Sequence, residues 1–295
     1  MRADKTLFTG LVKKDRRALA RELARLEREE AARRRRHRRI AWRTSLAVVG
    51  VAVLSVGTVT IVSALQPAPA LGPMNMASDG ILFSGDGSTV TAATAAAQEA
   101  DATPVASTLD TSDQLLHVVV YADYGSADSA LFETTNGSAL LSWVTSGYAT
   151  LELHPVALDD SVNQNYSTRA ANAVACVADA SPDTVPVVNT ALATAQSTAG
   201  ASGLSDDDLV SLVQTAGVTD TGVADCITSG AFDDWVVDAT ARARASVPNS
   251  DVAALDDAPL VVVNGTAYTG ALDDASAFES FVQSVYAPSA DAPVE

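Results

Sequence analysis

The stretch "SLAVVGVAVLSVGTVTIVSAL", residues 45–65, carries no charged side chain over 21 residues. At about 1.5 Å of rise per residue, a helix of that length crosses a hydrocarbon layer of about 30 Å. The stretch predicts a single transmembrane helix at 44–65. Gly50 and Gly57 are tolerable in such a helix, and its only polar side chains are Ser and Thr, whose hydroxyls bond back to helix carbonyls.

Charge gives the span a direction. Sixteen of the 19 Lys and Arg fall in residues 1–43 beside six acids, a net of +10, whereas the rest of the chain holds 3 Arg and 30 acids, a net of −27. Arg33 to Arg36, Arg38, Arg39 and Arg43 crowd the N-terminal flank of the span, and the next Arg is Arg169. The positive-inside rule therefore predicts a cytoplasmic N-terminus, a single pass of the cytoplasmic membrane and an extracytoplasmic C-terminal domain. A cleaved signal peptide ending near "PAPALG" is the competing reading, but a basic region of more than about 40 residues is far longer than such peptides use. Within 1–43, Leu19, Leu23 and Leu26 recur at helical spacing, which predicts a basic cytoplasmic helix held near anionic lipid. A nucleic-acid role for the same Arg cluster is the alternative; for the acidic outer domain no nucleic acid is expected, because phosphates would be repelled.

Beyond the span, residues 66–112 have the composition of a flexible linker, with one apolar island that reads as a small hairpin: Ile81 to Phe83, an "SGDG" turn, then Thr89 to Thr91. The folded part begins with that hairpin near 78 and resumes at Leu115. "LLHVVVY" (115–121) reads as a strand covered on both faces, 127–146 as a helix despite Gly137, and "ATLELHPVAL" (149–158) as a second strand. Strand, helix, strand implies a parallel pair with a right-handed crossover. A helical stretch follows from about 165 to 246, with Pro182 in the first turn of a helix and Ser205 capping another whose first turn contains Asp208. "PLVVVNGTAYTG" reads as a hairpin turning at Asn264-Gly265, and "DASAFESFVQSVY" as a closing helix.

These segments, in this order, resemble the extracytoplasmic DsbA-like proteins of the thioredoxin superfamily. "YADYGSADSALFE" is similar to the family's Asp-aromatic-x-Cys-x-x-Cys stretch, with Asp123, Tyr124, Phe132 and Glu133 in place and the two cysteines replaced by Ser126 and Ser129. "LELHPVAL" followed by "YSTRAANAVACVAD" resembles the family's second strand and its entry into a helical insertion, and "DAPLVVVNGTAYTG" puts Pro259 where the family has a cis-proline. The resemblance spans roughly 115–286. It implies an α/β thioredoxin-like fold at 113–287 with a helical insertion at about 163–246 and a short tail at 288–295. It also implies thiol–disulfide exchange as the family activity, which Ser126 and Ser129 cannot perform, because exchange needs a thiolate and a second sulfur to resolve the mixed disulfide. Ser126 has no Lys or His beside it in sequence and no G-x-S-x-G context, so its expected role is to cap the helix.

Cys176 and Cys226 are the only cysteines. Their separation suits neither a redox dithiol nor zinc-ligand spacing. Outside the cell a lone pair becomes a structural disulfide, and many family members have similarly placed cysteines in the insertion. His37, His117 and His154 are too dispersed for a metal site, and no cofactor or metal is expected. The Asp clusters at 159–160, 206–208, 256–257 and 273–274 read as solvated charge at loops and helix starts.

Three functions follow as expectations. The first is a redox-inactive, membrane-anchored module that binds an extended or unfolded polypeptide or another partner and is not an enzyme. The second is a disulfide oxidoreductase or isomerase working through Cys176 and Cys226. The third is a scaffold or signalling protein acting through the Arg-rich cytoplasmic helix. Ligand, partner and oligomeric state are not legible in the residues.

Overall fold

Five of the seven residues in "LHVVVYA" are buried, and the fold is assembled around this run as its third strand. The computed structural model describes residues 71–99, 102–109 and 115–286. The expected cytoplasmic helix within 1–43, the membrane span at 44–65 and the tail from 288 lie outside the described residues. No helix among the described residues is long and apolar enough to cross a membrane.

Six strands form one sheet: β1 (Ile81–Gly85), β2 (Val90–Ala92), β3 (Leu116–Ala122), β4 (Ala149–Pro155), β5 (Leu260–Val263) and β6 (Thr266–Ala267). Their order across the sheet is β2-β1-β4-β3-β5-β6. Only the β3 and β4 pair is parallel, with Val118 opposite Leu151 and Tyr121 opposite His154. The crossover between them is α1 (Ala127–Thr145), as a parallel pair requires. Val118, Val120, Leu151 and Leu153 face α1 and join its Phe132, Leu140 and Val144 in the main core. The ring of Phe132 meets Phe278 edge-on at 5.2 Å, which fastens the closing helix α8 (Ala275–Tyr286) onto the same core.

The helical insertion between β4 and β5 comprises α2 (Asp160–Asn163), α3 (Tyr166–Ala180), a 3-10 turn at Pro182–Thr184, α4 (Val185–Gln196), α5 (Asp206–Thr215), α6 (Gly222–Ser229) and α7 (Asp233–Ala245). Its centre is α3, where Ala170, Ala171, Ala173, Val174, Ala175 and Val177 are fully buried. A helix buried nearly all round is enclosed by others, and its small side chains let them approach closely. Ser205 caps α5 in a reciprocal capping box with Asp208. Pro182 begins the 3-10 turn, and the first turn of the α-helix behind it holds a second proline, Pro186. Cys176 on α3 is bonded to Cys226 on α6, with 5.9 Å between their Cα atoms.

Two segments differ from the expectation. The hairpin β1–β2, placed within a linker by composition, is an edge of the main sheet: β1 pairs with β4 from Ile81 opposite Leu153 to Phe83 opposite Leu151. Part of the expected linker is also bound down, because Val105 N–H donates to Ala77 O at 2.8 Å and Asn249 Nδ2 to Ser107 O at 2.7 Å. The second strand stops at Pro155 and not at 158, because the amides beyond Val156 leave the ladder: Ala157 N–H donates to Thr240 Oγ1 at 3.0 Å, and Leu158 and Asp159 N–H both donate to the side chain of Asp123.

The bridge closes a sequence separation of 50 residues. Replacing both Cys176 and Cys226 by Ser is expected to cost about 4 kcal/mol of unfolding free energy by the chain-entropy relation. Urea unfolding of the oxidised wild type and the double variant checks it; equal midpoints at equal slope would refute the expectation.

Candidate functional site

The site lies where β3 gives way to α1. Asp123 to Ser126 make the turn, and Ser126 is the N-cap of α1, with extended backbone at φ −80° and ψ 126°. Its Oγ accepts the Ser129 N–H at 3.3 Å, as a cap should, and donates to the carbonyl oxygen of Ala258 at 2.9 Å. Ser129 is buried one turn into the helix, and its Oγ accepts the Asp123 N–H at 3.2 Å. The Ala258–Pro259 peptide bond is cis. Ser126 and Ser129 thus meet the segment before β5 at one point, with Pro259 beside Ser129 on a void of only about 10 Å³. A void of that size holds at most a single water molecule. Cys176 and Cys226 are not part of this constellation; they join α3 to α6 inside the insertion.

Asp123 organises the turn. It is fully buried, its Oδ1 accepts the Gly125 N–H at 2.8 Å, and its Oδ2 accepts those of Leu158 at 2.6 Å and Asp159 at 3.0 Å. Burial raises its carboxyl above the ordinary value, against the Ser167 hydroxyl and the three amides, which favour the charge. Gly125 is confined by the same cluster: a Cβ there would lie 2.2 Å from Asn163 Nδ2 and 2.4 Å from Ser167 Oγ. Tyr124, also buried, donates its hydroxyl to Asn189 Oδ1 at 2.9 Å, and burial pushes its phenol well up. Glu133, further along α1, accepts from the Thr190 hydroxyl at 2.7 Å, and burial raises its carboxyl.

The chemistry open to this arrangement is narrow. Both hydrogen-bond partners of Ser126 Oγ are backbone groups, so no base draws its proton and no nucleophile is prepared. Among the described residues no cysteine is free, and no cluster of three potential metal ligands occurs. Ala258 is closed on both sides, since its N–H donates to Asp257 Oδ1 at 2.8 Å while its carbonyl takes the Ser126 hydroxyl.

A second polar group escaped the sequence reading. On β4, Glu152 Oε1 lies 3.3 Å from His154 Nε2, and it accepts the hydroxyls of Ser78 and of Ser107, the latter at 2.9 Å. Both residues are buried. Burial works against the Glu152 charge, but the His154 contact and the two hydroxyls outweigh it and hold the carboxyl down at about 2. The legible signal was the i, i+2 spacing of "ELH", which puts both side chains on one face of a strand. The Ser partners come from segments read as linker.

Comparison with known proteins bears on the same residues. A family model described as Thioredoxin matches residues 111–284. No curated protein matches the chain. The reduced disulfide bond oxidoreductase DsbG of Mycobacterium tuberculosis is 29% identical over 58% of this chain and 77% of its own, with a TM-score of 0.48. Two others are alike in fold alone. MdbA, a thiol-disulfide oxidoreductase of Corynebacterium matruchotii, is 13% identical, covering 70% of this chain and 91% of its own at a TM-score of 0.52. Oxidised BdbD of Bacillus subtilis is 12% identical, covering 75% and 99% at 0.51. The fold is the DsbA type: a thioredoxin-like sheet interrupted by a helical insertion.

The Glu152 carboxyl, ordinarily at 4.5, is lowered in the folded protein, so its contribution is present above that value and is lost as pH falls towards about 2. Glu152→Gln is therefore expected to lower the unfolding free energy at pH 7 by up to about 3 kcal/mol, with the gap to wild type closing between pH 4.5 and 2. Urea unfolding at several pH values measures it, and a gap independent of pH would contradict the assignment.

Proposed function

The chain belongs to the thioredoxin family, and from that premise we propose that it is a redox-inactive DsbA-like module, carried outside the cytoplasm on one membrane span, that works by binding a polypeptide partner. The observation that carries the redox part is the engagement of Ser126. Its oxygen caps α1 and holds Ala258, so the place where the family's attacking sulfur would stand is filled by a structural hydroxyl. An alcohol there forms no disulfide, and the one sulfur pair of the chain is committed elsewhere.

Membrane anchoring rests on the uncharged stretch at 45–65 and on the Arg-rich flank before it. Partner binding rests on what a thioredoxin-type site retains when its sulfur is gone: a rim on which a polypeptide can lie. The exposed part of that rim is the first turns of α1, with Ala127, Asp128 and Leu131 open to solvent. Strand addition at Ala258 is not the mode, because both of its backbone groups are already paired. Contact through side chains of the rim is.

Exchange through Cys176 and Cys226 is the alternative, favoured by the activity named for the relatives above. Against it stands the burial of Cys176, 1% exposed within α3, since reactive thiols need access.

Insulin reduction and dithiol oxidation separate the two. The wild type is expected to show no turnover above a cysteine-free background; turnover that disappears in Cys176→Ser would overturn the proposal. For the binding part, a photocrosslinking amino acid at Leu131 in intact membranes is expected to capture a defined polypeptide, and the same probe at Val237, exposed on α7, is not. Identical capture patterns would count against the rim.

A further inference from the structure

The charge-free run of the sequence continues past the expected span: residues 44–78 contain no Asp, Glu, Lys or Arg. Its last part is described, and there it makes a short antiparallel ribbon with residues 95–99. Leu71 pairs with Glu99, Gly72 N–H donates to Gln98 O at 2.8 Å, and Asn75 N–H donates to Ala95 O at 2.9 Å. The ribbon is fastened to the helical insertion. Met74 N–H donates to Asp179 Oδ1 and Asn75 Nδ2 to Ala178 O, both at 2.8 Å and both at the end of α3. Gly72 lies so close to Trp235 of α7 that a Cβ there would come within 2.9 Å of the indole. Met76 turns inward and is buried, whereas Leu71 and Met74 remain 58% and 43% exposed.

Singly exposed apolar side chains are ordinary on a protein surface. These two differ in charge environment and in place. The chain beyond residue 43 holds 30 acids, yet the ribbon itself contains only Glu99. Two further acids reach it, and both are turned onto backbone amides, Asp179 onto Met74 and Asp183 onto Ala92. The facing segment adds exposed Ala93, Thr94 and Ala96, with no charge from 87 to 98.

Place follows from chain length. An extended chain advances by at most about 3.5 Å per residue, so the six steps from Leu65 to Leu71 reach no more than about 20 Å. About 6 Å of that is headgroup layer. A fixed ribbon with two outward apolar side chains and no cation, tied this near to lipid, suits an apolar contact that does not depend on anionic headgroups. We propose, on the reading of residues 45–65 as a membrane span, that the ribbon of 71–75 and 95–99 rests on the outer membrane–water interface, with Leu71 and Met74 entering the lipid. The proposal is independent of the redox reading and of any polypeptide partner.

Full-length protein in phosphatidylcholine nanodiscs, one chain to a disc, tests it. Cys176 and Cys226 are the chain's only cysteines and are bonded to each other, so Met74→Cys or Thr269→Cys adds a single thiol for a bimane label. Thr269 is the control: it is exposed just beyond β6, at the sheet edge opposite β2. Quenching by headgroup-spin-labelled phosphatidylcholine is expected to be at least threefold stronger at 74 than at 269. Leu71→Asp in the Met74→Cys background is expected to halve it. Equal quenching at the two positions would overturn the proposal. So would a label at 74 that is shielded from aqueous iodide yet untouched by the lipid quencher, because a protein would then cover the ribbon. Alkaline carbonate washing of native membranes reads the span separately. Release of the chain sinks the span and the ribbon contact together, whereas a retained chain with equal quenching sinks the contact alone.

Discussion

A carboxyl group with no exposure to water, Asp123, holds the end of β3 to the chain that leaves β4. Three backbone amides converge on it, and two of them belong to residues that would otherwise have continued a strand. The parallel pair therefore stops in register, the chain turns into the helical insertion, and the start of α1 is left facing the segment before β5. Burial costs this group its preference for charge, and the amides return part of it. Everything at the site is placed by that exchange, including Gly125, which has no room for a side chain beside Asn163 and Ser167.

Ser126 and Ser129 both have structural partners at this turn. In a thioredoxin-type site the helix start favours an anion, but a serine hydroxyl stays neutral and spends its hydrogen bonds locally. Ser126 joins α1 to Ala258, Ser129 joins α1 to Asp123, and together they tie three separate segments. The two hydroxyls supply a set of internal bonds at the start of α1. Beside Ser129 they leave only a small void, lined also by Asp123, Glu133 and Asn189.

Most of the architecture was legible because strong local signals agreed with one another. The valine run of β3, the Asn264-Gly265 turn with both residues at positive φ, and the Ser205–Asp208 box each need only a few neighbouring residues to be recognised. Ser126, Ser129 and Pro259 could be grouped because a family resemblance supplied the long-range contact that spacing alone does not. What stayed hidden was tertiary. Nothing local says that Ile81–Gly85 pairs with β4, that Ser107 bonds to Glu152 across 45 positions, or that Arg242 reaches Asp79 across 163. The Ala-, Ser- and Thr-rich stretch was read as linker for its poverty in large apolar residues. Its described residues are held instead by hydrogen bonds, which composition does not count.

The bond between α3 and α6 has an implication for how the insertion would survive a proteolytic cut. The bend after α4, with Ser197, Thr198, Gly200 and Ala201 on the surface, is the sort of place proteases cut, and it falls inside the loop that the bond closes. A nick there would sever the chain yet release no fragment, since both halves stay stitched through sulfur. The insertion can thus be wounded without being lost.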